Sequence, residues 1–135
     1  MKAIIYKIEC NETGEVYYGS TILDLNTRIS IHKSSVKTGK KMCRCSEIIR
    51  RGNYSYSLVE HVECQDISQL LDREKFHIKN FECVNERIPN RKYREYYEDN
   101  QERKKAYQRE YYQKNKIAIN ERRKQRTTKK LIIQL

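Results

Sequence analysis

The 135-residue sequence has no tryptophan, one proline, four glycines and two phenylalanines. It also lacks long apolar runs: none approaches the roughly 18 residues of a membrane-spanning helix, and no apolar signal segment follows Met1. Hydrophobic residues make up 37% of the chain, and the mean hydropathy is −1.00. These shortages exclude a membrane-embedded protein and argue against a compact core over the full length. We expect a soluble intracellular protein, in the cytoplasm or the nucleus.

The five cysteines are odd in number and form no Cys-x-x-Cys pair. Cys43 and Cys45 are separated by one residue, and this pair alone does not predict a zinc site. We therefore expect reduced thiols, buried or half-buried, as in a protein of the cytosol or nucleus.

Positive charge is abundant and unevenly distributed, with a net charge of +11. Residues 1–89 contain 14 Lys and Arg against 12 Asp and Glu, whereas residues 90–135 contain 15 against 6. The chain is therefore predicted to consist of a nearly neutral domain, 1–89, and a basic extension, 90–135. Such asymmetry favours a polyanionic partner, most simply nucleic acid, and an anionic membrane surface is the weaker alternative.

Hydrophobic periodicity and capping signals predict six elements before Pro89, the only proline, which marks the domain boundary. They are strands over 3–10, 15–20 and 54–62, and helices over 25–36, 46–51 and from Asp66 to about residue 80. The order β-β-α-α-β-α predicts an α+β fold, a small three-stranded antiparallel sheet flanked by helices. In the first strand, Ile4, Tyr6 and Ile8 share one face.

Polar residues interrupt the apolar stripes of two predicted helices. In the third helix Glu74 falls near the centre of a stripe formed by Ile67, Leu70, Leu71, Ile78 and Phe81. A carboxylate there is costly unless a cation meets it, or its tip can reach solvent at the domain edge. In the first helix His32 falls on the stripe of Leu25, Ile29 and Val36.

The individual residues also admit ordinary structural interpretations. His32 can be a satisfied core histidine, and Arg28, one turn before it, can be a surface arginine that buries only its stem. Tyr6 and Tyr17 can be aromatic residues of the core, although neighbouring strands can point them to the same face. An arginine, a histidine and a glutamate converging on one sheet face would suit phosphate chemistry.

The extension contains a repeat: REYYEDN at 94–100 recurs as REYYQKN at 109–115. The spacing of 15 residues is close to four helical turns, so the tyrosine pairs return to roughly the same side of a helix. Candidate nucleic-acid-binding residues are Arg103, Lys104, Lys105, Arg109, Arg122, Arg123 and Lys124. Tyrosines among basic residues can stack on unpaired bases, but a solvated or partly disordered tail has the same composition.

These residues resemble the motifs of the GIY-YIG nuclease family over residues 3–88. The two name motifs correspond to IIY at 4–6 and YYG at 17–19. Ile4 replaces the first glycine and Tyr18 the middle isoleucine, and neither change removes a chemical group. The other family positions occur in order as Arg28, His32, Glu74 and Asn85. The basic extension resembles those of family members encoded by large DNA viruses.

The resemblance implies hydrolysis of phosphodiester bonds with a single divalent ion, Mg²⁺ or Mn²⁺, held by Glu74. Tyr6 is implied as the general base on the attacking water, assisted by Tyr17 or His32. A free tyrosine has a pKa near 10, so this base needs a cationic neighbour to lower it. Arg28 is implied to stabilise charge on the phosphate oxygens.

The remaining family positions are implied to act indirectly. Asn85 orients the site rather than reacting, Gly19 allows close approach of the backbone, and Tyr18 is structural.

We therefore predict a metal-dependent DNA endonuclease that acts on duplex DNA, with RNA a less favoured partner and no membrane partner. The alternative is a catalytically inactive protein of the same fold that binds nucleic acid by charge. A basic RNA- or membrane-associated interaction protein with a coincidental motif match is the third possibility. The presence of all the polar groups that the family needs favours the first over the second.

Overall fold

The computed structural model describes residues 1–40 and 43–135. It divides into two compact units, Met1–Arg91 and Lys92–Leu135. The elements in chain order are β1 (Lys2–Cys10), β2 (Val16–Thr21), α1 (Leu25–Lys37), α2 (Cys45–Arg51), β3 (Tyr54–Glu63), α3 (Ile67–Asn80) and α4 (Tyr93–Ile133). The predicted α+β fold is confirmed, and the six elements before Pro89 lie within about one residue of their predicted bounds.

The three strands form one antiparallel sheet in the order β2-β1-β3, so β1 is the central strand. Its side chains are buried on both faces: Ala3 and Ile5 on one, and Tyr6, Ile8 and Cys10 on the other. The sequence indicated only the face that carries Ile4, Tyr6 and Ile8. Helices cover both sides of the sheet, and the second face is buried for that reason.

Each face of the sheet has its own hydrophobic core. The core beneath α3 consists of Ala3, Ile5, Tyr18, Val62, Cys64, Leu70 and Ile78. The core beneath α1 and α2 consists of Tyr6, Ile8, Cys10, Ile29, Cys45, Ile48 and Ile49. Tyr6 is therefore a core residue as well as a family motif residue, and it lies on the side of α1.

Helix α1 begins and packs as its sequence predicts. The carboxylate of Asp24 accepts the backbone N–H of Thr27 at 3.0 Å and so caps the first turn. Ile29 and His32 are buried in the helix, and Leu25 and Val36 pack against the same core with partial exposure.

Asp66 caps helix α3 by accepting the N–H of Gln69 at 2.9 Å. The predicted apolar stripe of this helix is wrong at its first and last residues. Ile67 and Phe81 are exposed, at 60% and 51%. They lie at the two termini, beyond Leu70 and Ile78, which carry the contact with the sheet. His77 is buried instead, and its Nε2 is hydrogen-bonded to the carboxylate of Glu60 at 2.9 Å, so a polar residue takes the place of an apolar one.

The basic extension forms the 41-residue helix α4, whose residues are all described and none of which is buried. Its predicted helical form is confirmed. Among residues 1–40 and 43–135, no helix combines the length and the apolar character needed to cross a membrane.

Candidate active site

The hydroxyl of Tyr6 is held at the centre of the domain by two residues of α1. Tyr6 is completely buried, and its Oη is hydrogen-bonded to Nε2 of His32 at 2.7 Å. The same oxygen accepts the Nε–H of Arg28 at 3.2 Å. Arg28 and His32 can both reach it because residues four apart lie on the same face of a helix. The predicted Arg-x-x-x-His pair therefore faces the first tyrosine directly.

Gly19 provides the space that the Tyr6 ring occupies. Gly19 lies opposite Tyr6 in the pairing of β1 with β2, and a Cβ on Gly19 would lie 2.5 Å from Oη and 2.6 Å from Cζ of Tyr6. No side chain fits at that separation. The close approach expected at this glycine is thus made by the Tyr6 side chain, and this contact fixes the ring next to Arg28 and His32.

Burial controls the protonation of both groups in this hydrogen bond. It raises the pKa of Tyr6 above its ordinary value, although the hydrogen bond and the charge of Arg28 oppose the rise. Burial, with the neighbouring charge of Arg28, lowers the pKa of His32 to about 4. At neutral pH the site therefore holds a protonated phenol beside a neutral imidazole. Arg28 alone does not make Tyr6 an ionised base.

Tyr17 lies on the same side of the sheet as Tyr6, an arrangement that the sequence left open. It pairs with Ile8 across β1 and β2, and its ring meets the ring of His32 edge to face, with centroids 6.3 Å apart. Burial, reinforced by the nearby Tyr6 and Glu74, raises the pKa of Tyr17 strongly. Tyr17 is therefore a neutral hydrogen-bond donor rather than a base.

Glu74 of α3 lies near the tyrosines and is half-buried. Its Oε2 accepts a hydrogen bond from the hydroxyl of Ser20 on β2. Burial raises the pKa of the Glu74 carboxyl, while the Ser20 hydrogen bond and the charge of Arg28 lower it. Glu74 borders the cleft with partial exposure, and its carboxylate lacks full compensation for its lost hydration.

Asn85 fixes the backbone of β2. Its Oδ1 accepts the N–H of Tyr18 at 2.9 Å, and its Nδ2 donates to the carbonyl of Tyr18 at 2.7 Å. The preceding Val84 N–H donates to the carbonyl of Val16 at 2.8 Å. The side-chain oxygen and nitrogen of Asn85 therefore both bind the strand that carries Tyr17 and Gly19. This supports the orienting role implied for Asn85.

The Tyr18 side chain lies on the other face of β2, stacked on His77 with ring centroids 5.6 Å apart. It belongs to the core beneath α3, in keeping with the structural role expected for it.

The expectation of reduced thiols is wrong for two of the five cysteines. The sulfurs of Cys43 and Cys45 are joined, with Cα atoms 5.4 Å apart, a separation within the usual range for a disulfide. Cys10, Cys64 and Cys83 are thiols, as expected. Nδ1 of His32 lies 3.4 Å from Sγ of Cys45 and 4.0 Å from Sγ of Cys43.

Some of these groups border a cleft of about 660 Å³ in the first unit. Tyr17, Glu74 and Asn85 line it, together with Cys43, Arg44 and Arg87. A cleft with convergent polar groups and shifted pKa values is the usual form of an active site.

The structure brings all of the predicted nuclease residues of the first unit together around Tyr6 and the cleft. Sequence reasoning missed Ser20, the partner of Glu74, and the two cysteines beside His32. No local pattern marks Ser20, because its role depends on a helix 54 residues further along the chain.

The donor set suits a hard divalent cation. Glu74 offers a carboxylate whose burial is only partly compensated by Ser20 and Arg28, and it borders the cleft. Mg²⁺ and Mn²⁺ prefer carboxylate oxygen and keep several water ligands, for which the cleft has room.

The predicted nucleic-acid-binding residues all lie on α4. Six of the seven are exposed. Lys104 is the exception: its ammonium lies 4.9 Å from the ring centroids of both Tyr96 and Tyr97, in a cation–π arrangement. Lys105 pairs with Glu102 at 3.4 Å. The remaining cations form an exposed basic surface along the helix.

The model of the family described as the GIY-YIG catalytic domain matches residues 2–87. The chain therefore belongs to the GIY-YIG family, and the expectation of a GIY-YIG-type nuclease domain is confirmed. No protein of curated function matches the chain in sequence.

Two solved structures have a similar fold. The first is the catalytic domain of the intron endonuclease I-TevI in a mutant form, with 23% identity, a TM-score of 0.50, and 58% of this chain and 82% of that chain covered. The second is the catalytic domain of the homing endonuclease I-TevI, with 21% identity, a TM-score of 0.49, and coverage of 57% and 85%.

Replacing Gly19 with alanine is expected to destabilise the protein by about 1–3 kcal/mol, because the new methyl group overlaps the Tyr6 ring. Urea denaturation measures the loss. The control is the same change in a Tyr6→Ala background, where the overlap is gone and Gly19→Ala should cost much less. Equal costs in the two backgrounds would show that the ring does not restrict position 19.

Proposed function

We propose that this protein is a divalent-metal-dependent DNA endonuclease that hydrolyses phosphodiester bonds at the cleft that Tyr17 and Glu74 line. The observation that supports this most is the hydrogen-bonded group of Tyr6, His32 and Arg28, which lies close enough to the carboxylate of Glu74 for their charges to interact. Those groups are a proton acceptor, a cation and a metal ligand, which are the requirements of phosphodiester hydrolysis. The similarity to the catalytic domain of an intron endonuclease is consistent with a DNA substrate.

We infer that Tyr6 passes a proton rather than starting as a phenolate. Its raised pKa keeps it protonated, whereas Nε2 of the neutral His32 lies 2.7 Å away and can accept a proton. As the attacking water gives its proton to Oη of Tyr6, the phenolic proton moves to Nε2 of His32. The tyrosine therefore needs no prior ionisation, and His32 is the final acceptor.

Two further groups act on the phosphate. Arg28 uses Nε to hold Tyr6, and the other N–H groups of its guanidinium remain to stabilise charge on phosphate oxygens. Tyr17 is protonated and borders the cleft, so it can donate a hydrogen bond to the same oxygens. Both interactions strengthen as negative charge develops in the transition state.

Glu74 holds the single divalent ion in this proposal. When bound, the ion supplies positive charge that polarises the phosphate and stabilises the leaving oxygen. Ser20 fixes the carboxylate by its hydrogen bond to Oε2. This is the supporting interaction that a metal ligand commonly has.

Replacing Glu74 with glutamine should abolish Mg²⁺- or Mn²⁺-dependent cleavage of plasmid DNA while leaving DNA binding intact. We expect a rate loss of at least about 10²–10³-fold, because a neutral amide holds the ion poorly and removes its charge from the site. The measurement is conversion of supercoiled to nicked or linear plasmid, with EDTA as the metal-free control. The matched control variant is Glu82→Gln, which makes the same change at an exposed carboxylate of the same unit.

Arg28→Ala, assayed beside these variants, should also lose cleavage. Undiminished cleavage by Glu74→Gln would refute the site. DNA binding by the unaltered protein without cleavage under any metal condition would instead establish the inactive binding protein.

The proton relay predicts a flat rate profile between about pH 6 and 9 at saturating divalent ion, because His32 is already neutral and Tyr6 needs no ionisation. The measurement is the rate at which DNA already bound to the protein is cleaved, at each pH. A base that must first ionise would give a rate that rises about tenfold per pH unit over this range. If the rate rises in this way and Tyr6→Phe removes the rise, the relay is wrong and Tyr6 ionises before it acts as the base.

We propose that α4 binds the phosphate backbone without reading sequence. Its basic residues other than Lys104 are exposed, on a helix with no residue in the buried class. At 1.5 Å per residue, its 41 residues extend about 60 Å, long enough to meet many phosphates. Duplex DNA is the preferred partner, because contacts of this kind need no unpaired bases.

Neutralising Arg122, Arg123 and Lys124 to glutamine should weaken DNA binding and flatten its dependence on salt. Each lost phosphate contact lowers the slope of log K against log salt by about 0.9. The measurement is fluorescence anisotropy of labelled duplex at several salt concentrations. The control variant replaces Gln101, Gln108 and Gln113 with alanine on the same helix. If both variants keep the original slope, this end of α4 does not touch phosphate.

A further inference from the structure

His32 faces two different groups through its two ring nitrogens. Nε2 is hydrogen-bonded to Tyr6, whereas Nδ1 points to the sulfurs of Cys43 and Cys45. The nitrogen of His32 and the two sulfurs, each a possible metal ligand, lie within 4.8 Å of one another. A histidine that binds a metal through one nitrogen and hydrogen-bonds through the other is the usual arrangement of metal centres.

The distances fit a tetrahedral zinc ion. Zinc bonds of about 2.3 Å to sulfur and 2.0–2.1 Å to nitrogen place ligand nitrogen and sulfur about 3.6 Å apart. The observed separations from Nδ1 are 3.4 Å and 4.0 Å. Only the two sulfurs, now joined, must move apart, to about 3.8 Å.

The two cysteines differ in access. Cys45 begins α2 and is completely buried, whereas Cys43 precedes the helix, is partly exposed and lines the cleft. The Cys43 side chain can therefore rotate away once the sulfurs are no longer joined. The cleft also gives an ion a path of entry and room for a water as the fourth ligand.

We propose that Cys43 and Cys45 in their dithiol form, together with Nδ1 of His32, bind one Zn²⁺ ion. This site is distinct from Glu74, because thiolate and imidazole select zinc, whereas a carboxylate suits Mg²⁺ or Mn²⁺. Joining the sulfurs removes both thiolates, so the disulfide form cannot hold the ion.

The change between the two forms is a two-electron reduction. A phosphine reductant takes an oxygen from water and becomes its oxide, while the disulfide gains two electrons and two protons and becomes two thiols. Binding of Zn²⁺ then releases both thiol protons to solvent.

Zinc at this site affects cleavage, an extension that rests on the proposed function. With Nδ1 bound to zinc, the proton of a neutral imidazole must lie on Nε2, which then donates to Oη of Tyr6. Nε2 can no longer accept the proton that Tyr6 passes on. Zinc occupancy is therefore expected to slow cleavage, and the disulfide to leave it unchanged.

The test is direct metal binding by the full chain, without DNA. The protein is reduced with phosphine, mixed with Zn²⁺, passed over a desalting column and measured for zinc content. We expect one zinc per chain, and Co²⁺ substitution should give thiolate-to-cobalt absorption. Cys43→Ser and Cys45→Ser should each abolish both signals. Cys83→Ser, at a partly buried thiol hydrogen-bonded to the Ile78 carbonyl, should keep them.

Zinc content near zero in the reduced protein, or equal content in Cys43→Ser and the unaltered chain, would overturn the site. A disulfide that resists the phosphine would overturn it too, because no dithiol form then exists. Position 43 is partly exposed, so Cys43→Ser still tests the site if Cys45→Ser, at a buried position, misfolds. Glu74→Gln should bind zinc normally, so failure of the zinc site and failure of the nuclease are separate results.

Discussion

The buried hydroxyl of Tyr6 is the constraint on which the rest of the domain depends. A polar group left unsatisfied in a core costs about 1–3 kcal/mol, and the central strand places this side chain in the core, completely buried. Arg28 and His32 satisfy it, so helix α1 must lie where both side chains reach the oxygen. Gly19 must lack a side chain for the ring to fit. Docking of the first helix and assembly of the site are therefore the same event.

The burial that positions these groups also sets their chemistry. Loss of hydration disfavours charge on both, so Tyr6 stays protonated and His32 stays neutral. A protonated phenol and a neutral imidazole can pass a proton along their hydrogen bond. Neither of them is a permanently charged base. The same neutral imidazole has a second nitrogen next to two sulfurs, which connects the proton acceptor to the redox state of the cysteines.

The edge strand β2 joins the two faces of the sheet into one site. Alternate residues of a strand point to opposite sides, so Tyr17 faces α1 while Tyr18 and Ser20 face α3. At the edge of the sheet no further strand separates the two layers. A carboxylate from α3 can therefore approach tyrosines that belong to the opposite core.

Sequence by itself determined the order and bounds of the elements, because periodicity and capping residues such as Asp24 are local. It also identified His32 and Glu74 as candidates, since polar residues on apolar stripes are costly without a partner. Tertiary structure alone decided which partners they have. The hydroxyl of Ser20, the space above Gly19 and the sulfurs beside His32 are contacts between elements distant along the chain, and hydrophobic periodicity carries no information about them. The protonation of the tyrosine was decided there too, because burial arises only when both layers close over the central strand.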